Sequence, residues 1–308
     1  MLKTIEITLA VACICACENS SADTFGTDPN TMFKIEFVPI GNPGNPADDD
    51  ERAAPMYAGS VTYNYRIGRF EISEDMIDKA NKTGGLSITK DTRGPNKPAT
   101  SIDWFETAKF VNWLNTSTGN APAYKFDDGG NFQLWDSIDA GYNPNNLFRN
   151  RLAKYFLPSH DEWYKAAYYD PNRSIYYNYP TGSDTAPMAV SSGTVTGTAV
   201  YRQSTATGPA DIMQAGGLSP YGTMGQGGNV TEWSETEILF NSPSTNRGVR
   251  GGAWLDGVSR ISTTNLQDYS PTFMHISIGF RVASIPEPTT CTLALAALCL
   301  ALGRRRAF

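Results

Sequence analysis

The chain has 308 residues, 40% hydrophobic and 18% charged, with a net charge of -6. That length holds one large domain or two small ones, and the lack of a basic run in the body removes the electrostatic footprint of nucleic-acid binding. All five cysteines lie in two terminal apolar segments, at Cys13, Cys15, Cys17, Cys291 and Cys299, so the stretch between them carries no disulfide framework, thiolate metal site or cysteine nucleophile.

In chain order, Lys3 gives a small positive start, Ile7 to Cys17 an apolar run, and Ser20-Ser21-Ala22 a small-residue cleavage site before Asp23. This is the order of a secretory signal over residues 1–22, to be removed by signal peptidase. None of the three early cysteines has a leucine three residues before it, which argues against lipoprotein processing. Phe33 to Ile40 alternates apolar and polar residues, a strand signal. Gly41 to Pro55 ends it as a loop, in which Asp48-Asp49-Asp50-Glu51 lacks the alternating ligand spacing of an EF-hand and reads as a solvated acidic turn. Val61 to Ile72 predicts a second strand, with Tyr63, Tyr65, Ile67 and Arg69 on one side.

Two helices follow. Asp103-Trp104-Phe105-Glu106 has capping-box form ahead of Ala108, Val111 and Leu114. Ser159-His160-Asp161-Glu162 repeats it before Trp163, Ala166 and Ala167. Ser159, His160 and Asp161 are a triad's residue types but are consecutive, so they point apart, and capping accounts for them. Pro180 to Pro220 is Thr, Ser, Gly, Ala and Pro with few large residues, and predicts surface loops and short strands. Gly225 to Gly228 lacks the Lys-Ser/Thr of a phosphate loop. His275, in the alternating Phe273-Met274-His275-Ile276 segment, is expected on a strand rather than as a ligand. The fold class is α+β with much irregular backbone, in one domain over residues 23–285.

Pro286-Glu287-Pro288, the apolar run Cys291 to Leu302 and Arg304-Arg305-Arg306 close the chain. The run is shorter than the roughly 20 residues that span a bilayer. In order and position the three parts, residues 286–308, resemble the PEP-CTERM sorting signal. The resemblance implies a transient anchor in the inner membrane, recognition by an exosortase, and delivery to the cell surface or extracellular matrix.

Five further blocks carry a second resemblance. They are Tyr65 to Ser73, Pro98 to Trp104, Leu157-Pro158-Ser159-His160-Asp161-Glu162-Trp163, Tyr221-Gly222 with Gly228-Asn229-Val230-Thr231-Glu232-Trp233, and Arg250-Gly251-Gly252-Ala253-Trp254 with Gly279-Phe280-Arg281. In this order they resemble the sulfatase-modifying-factor family, the formylglycine-generating enzyme domain. The resemblance implies a single C-type-lectin-like core over nearly the whole body. The family's oxidase holds copper through two cysteines just after the Arg-Gly-Gly-Ser-Trp block. Those positions fall at about Asp256 and Ile261 here, and neither is cysteine. Carboxylate and isoleucine do not replace the soft thiolates that select copper(I), so copper and oxidase chemistry are not expected.

The family also places a structural calcium ion at this turn. By position it would use the Gly228 and Val230 carbonyls with the Glu232 side chain, the earlier ligand falling at Gly225. The other reading pairs Glu232 with Arg250 or Arg281. Trp233, Arg250, Trp254 and Asp256 are the residues expected to form a lectin-like groove for a glycan, peptide or matrix ligand. The alternative is an enzyme, of the oxidase type or another, working in that groove with Asp256 at its centre.

Overall fold

The computed structural model describes residues 21–238 and 245–286. Most of the expected signal peptide and nearly all of the expected sorting tail lie outside them, and no helix of the described residues is long and apolar enough to cross a membrane.

A five-stranded antiparallel sheet runs in the order β1-β2-β3-β15-β6. Its strands are β1 (Ser21–Phe25), β2 (Phe33–Ile40), β3 (Tyr65–Gly68), β6 (Tyr155–Phe156) and β15 (Ala283–Ser284). The alternation in β2 predicts its limits, and Phe33, Ile35 and Phe37 all point into the core. The second strand is shorter than Val61 to Ile72, because only Tyr65–Gly68 keeps strand pairing, and all four of its residues are buried. Ser21 and Ala22, from the expected cleavage site, open β1 opposite Phe37 and Glu36. The last described strand, β15, inserts between β3 and β6, so the two ends of the domain share one sheet.

The described residues form three α-helices, of which the second packs on β6 of this sheet, the first on the second and the third on strand β11 (Thr231–Glu237). α1 (Glu74–Gly84) was not anticipated above: Ser73 caps it by accepting from Met76 N, and Gly85 ends it in the left-handed region. α2 (Trp104–Thr116) and α3 (His160–Tyr168) both start with the expected capping boxes, Asp103 with Glu106 and Ser159 with Glu162. Between α2 and β6 lies a small hairpin, β4 (Lys125–Phe126) with β5 (Phe132–Gln133). Four two-residue strands follow α3: β7 (Tyr169–Asp170), β8 (Ile175–Tyr176), β9 (Met188–Ala189) and β10 (Thr198–Ala199). The Pro180 to Pro220 stretch holds loops, β9, β10 and a 3-10 turn at Ile212–Gln214, and against expectation it is not all surface, since Val200, Tyr201, Ala210 and Ile212 are buried.

A second sheet, in the order β13-β12-β11-β14, consists of β11 (Thr231–Glu237), β12 (Arg247–Arg250), β13 (Gln267–Tyr269) and β14 (Ile278–Gly279). Tryptophans tie it to the helices. Trp104 Nε1 donates to Ser234 O at 3.0 Å, and Trp233 Nε1 returns a bond to Ile102 O at 3.1 Å. Two residues depart from their expected settings. His275 sits in the turn before β14, with Nδ1 2.7 Å from Ser277 Oγ, because β14 does not start until Ile278. Asp48 is buried rather than solvated, since its carboxylate accepts from Tyr164 Oη at 2.6 Å.

The two glycine pairs meet. Gly228 N donates to Gly251 O at 2.8 Å, and both residues have positive φ, 100° and 97°. A Cβ on Gly228 would run into the Val200 carbonyl, which is backbone and cannot swing away. Gly228→Ala is therefore expected to lower stability by roughly 2–4 kcal/mol through strain and overpacking. Chemical denaturation of the variant beside the parent checks this.

Candidate functional site

The first five residues of β11 are all buried, and Glu232, the second of them, has no exposed surface. Arg281, just beyond β14, meets it side-on: Nε donates to Oε2 and Nη2 to Oε1, each at 2.6 Å, with both side chains fully buried. The remaining guanidinium hydrogens reach Gly68 O at 2.9 Å, Arg69 O at 3.3 Å and Met224 O at 2.9 Å. All five donors of the fork are thus used. Burial opposes the charge, but Glu232 and Glu71 together outweigh it and hold Arg281 above the usual arginine range. Trp163 Nε1 adds a bond to Glu232 Oε2 at 2.7 Å.

Glu71 enters the same interior. Oε1 accepts from Asn229 Nδ2 at 3.0 Å, while Oε2 has no hydrogen-bond partner among the described residues. Its carboxylate occupies the space a Cβ on Gly225 would need. Burial, with the Glu232 charge adding to it, pushes its pKa up to about 7 against the pull of Arg281. Asn229, at φ 54°, also accepts from Ala210 N at 2.8 Å through Oδ1 and from Trp254 N at 2.9 Å through its carbonyl. The turn from Gly228 to Glu232 is therefore a junction of buried polar groups.

Of the calcium ligands named from sequence, Glu232 is engaged by Arg281 and Trp163. A hard cation needs free oxygen ligands, and both Glu232 oxygens already accept charge-assisted bonds, so the geometry fits the Arg281 reading of that carboxylate better than the calcium one. No group of three or more His, Cys, Asp or Glu among the described residues is placed to hold a metal.

The copper positions offer no better fit. Ile261 is fully buried against Ala199 and Tyr201. Asp256 is half-buried and accepts from Ala253 N at 2.8 Å through Oδ2. Neither supplies a thiolate, so no step through copper is derived.

The expected groove is not where its residues are. Trp233 and Trp254 have no exposed surface and Arg250 is 1% exposed, because all three are core side chains. Of that set only Asp256 reaches solvent. Arg250 turns away from Glu232, its neighbour in register, and donates from Nε to His160 Nδ1 at 3.3 Å with its guanidinium 4.7 Å over the Tyr164 ring. Burial and Arg250 hold His160 well below the usual imidazole range, so the ring accepts as a neutral base.

Sequence reasoning missed a second buried cluster. Arg149 bridges Glu162 and Glu235 with bonds of 2.8 to 3.0 Å. Tyr63 Oη donates to Glu162 at 2.5 Å, and Tyr124 Oη and Asn146 Nδ2 donate to Glu235 at 2.9 and 2.6 Å. Burial opposes ionisation of Glu162, yet Arg149 holds its carboxyl below the ordinary range. This cluster floors an open cleft of about 760 Å³. The capping box at Ser159 was the one available signal, since it fixes where Glu162 points.

The profile of the sulfatase-modifying factor enzyme 1-like domain matches residues 24–285, and the chain belongs to that family. No curated protein sequence matches it. Among solved structures, variable protein 1 of Treponema denticola is similar over 87% of this chain and 99% of its own, at 18% identity and a TM-score of 0.57. CarF is similar over 82% of this chain and 99% of its own, at 20% identity and a TM-score of 0.58. PvdO from Pseudomonas aeruginosa is similar over 85% and 100%, at 15% identity and a TM-score of 0.55. These likenesses show the fold: one α+β domain of the C-type-lectin-like kind.

Two outcomes are expected at the Glu232 junction. Arg281→Met leaves a buried carboxylate unpaired and costs about 3–5 kcal/mol, part of which Glu232→Gln in the same chain restores; urea melts of the single and double variants read this. Glu71 keeps its proton to about pH 7 when folded, against an ordinary 4.5. Its contribution is therefore complete below about pH 4.5 and lost as pH rises to about 7. Glu71→Gln should remove that slope and leave the protein more stable at pH 8 by on the order of 2–3 kcal/mol, checked by melts at pH 5 and pH 8.

Proposed function

We propose that this protein is an exported, surface-directed member of the family that performs no oxidase chemistry and acts as a binding or structural module. The observation that carries the reading is the local structure at the two positions where the family's oxidase has copper thiolates. Ile261 is packed as a core residue, and Asp256 spends a carboxylate oxygen on the Ala253 amide. Both side chains serve the fold. Soft thiolate ligands are what copper(I) selects, and the described residues contain no cysteine.

The export half rests on the sequence of the two ends. Signal peptidase would act after Ala22, and an exosortase would act on the Pro286-Glu287-Pro288 tail after a brief stay in the inner membrane. The ligand would be a glycan, a peptide or another matrix component. Calcium at Gly228, Val230 and Glu232 would have to take its carboxylate from Arg281, so the module is proposed to hold this turn with the guanidinium instead.

Incubating the purified protein with copper, oxygen and a sulfatase-type cysteine peptide tests the central claim. No formylglycine is expected by mass spectrometry, with an active family member converting the same peptide alongside. Conversion above a no-enzyme control would overturn the non-oxidase reading.

A further inference from the structure

The chain leaves the described structure at the rim of the cleft over the Arg149 cluster. Ile285, directly after β15, donates its N–H to Lys154 O at 3.0 Å and lines that 760 Å³ cleft. Only five residues, Pro286 to Thr290, separate it from the apolar run Cys291 to Leu302 and the cluster Arg304-Arg305-Arg306. Extended chain advances by at most about 3.6 Å per residue, so the run begins within roughly 20 Å of the cleft rim. An apolar run closed by basic residues partitions into the edge of a bilayer, with its arginines at the headgroups.

The same rim is studded with exposed apolar side chains. Tyr63, Leu134, Leu147 and Ile285 line the cleft, and each keeps 36 to 46% of its surface exposed. Leu152, between the lining residues Arg151 and Ala153, is 58% exposed, and Ile138 in the same loop is 90% exposed. The loop that carries Leu134 to Leu152 is held in shape by its own backbone, with Trp135 N donating to Leu147 O and Arg151 N to Gly141 O, each at 2.9 Å. A single exposed leucine is ordinary on a protein surface. Five such side chains edging one cleft, with a sixth in the same loop, form the kind of patch that meets a partner.

Charge and tether length decide which partner. Arg149 lies between Glu162 and Glu235, and Lys125 between Asp136 and Asp139. The remaining charged residues of the lining, Arg151 and Glu237, are one of each sign. This face therefore has no basic patch for anionic headgroups, and its hold on a partner is apolar. A bilayer tethered so close by the tail is the apolar phase present at the highest effective concentration. We propose that, while the tail anchors the protein, this rim rests on the bilayer surface. Leu134, Leu147, Leu152 and Ile285 enter the headgroup boundary, and the Tyr63 ring lies at its polar level. This rests on the reading of the protein as exported with a transient membrane anchor, and it gives the anchored state an orientation: the cleft mouth faces lipid until the tail is cut.

The chain from residue 23 to 308 with Cys291→Ser and Cys299→Ser is free of cysteine and serves as the background. One cysteine is then introduced at a time and labelled with a polarity-sensitive dye: Leu134→Cys, Leu152→Cys or, on β9 and outside the cleft lining, Met188→Cys. All three positions are exposed, so the variants should melt as the background does. Phosphatidylcholine vesicles are the probe; flotation reads anchoring, and dye emission with and without spin-labelled acyl chains reads insertion. All variants are expected to float with the vesicles. The dyes at positions 134 and 152 should brighten about twofold and be quenched by the spin-labelled lipid, and the dye at 188 should do neither. Floating protein with unresponsive rim dyes, or an equal response at 188, would overturn the docking and leave the export reading standing. Protein that does not float would overturn the anchor, and the docking with it. A rim response that grows with protein concentration in the absence of vesicles would assign this face to a second copy of the chain and overturn the lipid partner.

Discussion

The side-on pair between Arg281 and Glu232 is the interaction on which the rest of the domain is hung. Arg281 takes carbonyls from the end of β3 and its following residue, from the loop before the glycine turn, and a carboxylate from β11. Those segments are separated by 49 to 213 residues of chain from Arg281. A chain with short strands and few helices has little regular backbone bonding to hold such segments in place. One planar group with five fixed donors supplies the missing order, because each hydrogen can be satisfied only when its acceptor is in position. Both charges are fully buried, so neither can be lost alone without stranding the other in a dry interior.

Local sequence made some of this legible. β2 alternates, and both capping boxes are written within four residues, so Phe33–Ile40 and the starts of α2 and α3 are readable without the fold. α1 was readable too: Ser73 precedes Glu74 and Asp75, Ile77 and Ala80 repeat at helical spacing, and Gly84-Gly85 ends the pattern. Its mean polarity hid it, since among its residues only Glu74, Ile77 and Ala80 are buried. What local reasoning could not reach is long-range. Arg149 meets Glu162 and Glu235 from 13 and 86 residues away, and nothing in the sequence near Arg149 marks it as buried. Trp233 and Trp254 fail as groove residues for a related reason. An aromatic next to glycine fits a closely packed core as well as an open platform, and the choice depends on what the rest of the chain lays over it.

The two positions aligned with the family oxidase's thiolates are both used by the fold. Isoleucine at 261 fills its space with apolar atoms beside Tyr201, and aspartate at 256 closes a tight turn by accepting the amide of Ala253. At the buried glycine turn, Glu71 fills the room that a side chain at position 225 would claim.

The buried arginines fall into two settings. Arg66, Arg149 and Arg281 each have a carboxylate within 2.9 Å, and each joins strands or loops of the frame. Arg247 and Arg250, three residues apart on one four-residue strand, have none and lean on aromatic rings instead. Arg250 is closed within the protein, with His160 as its hydrogen-bonding neighbour. Arg247 alone of the two lines an open cleft. Both stand at a cost in stability that their aromatic contacts only partly offset.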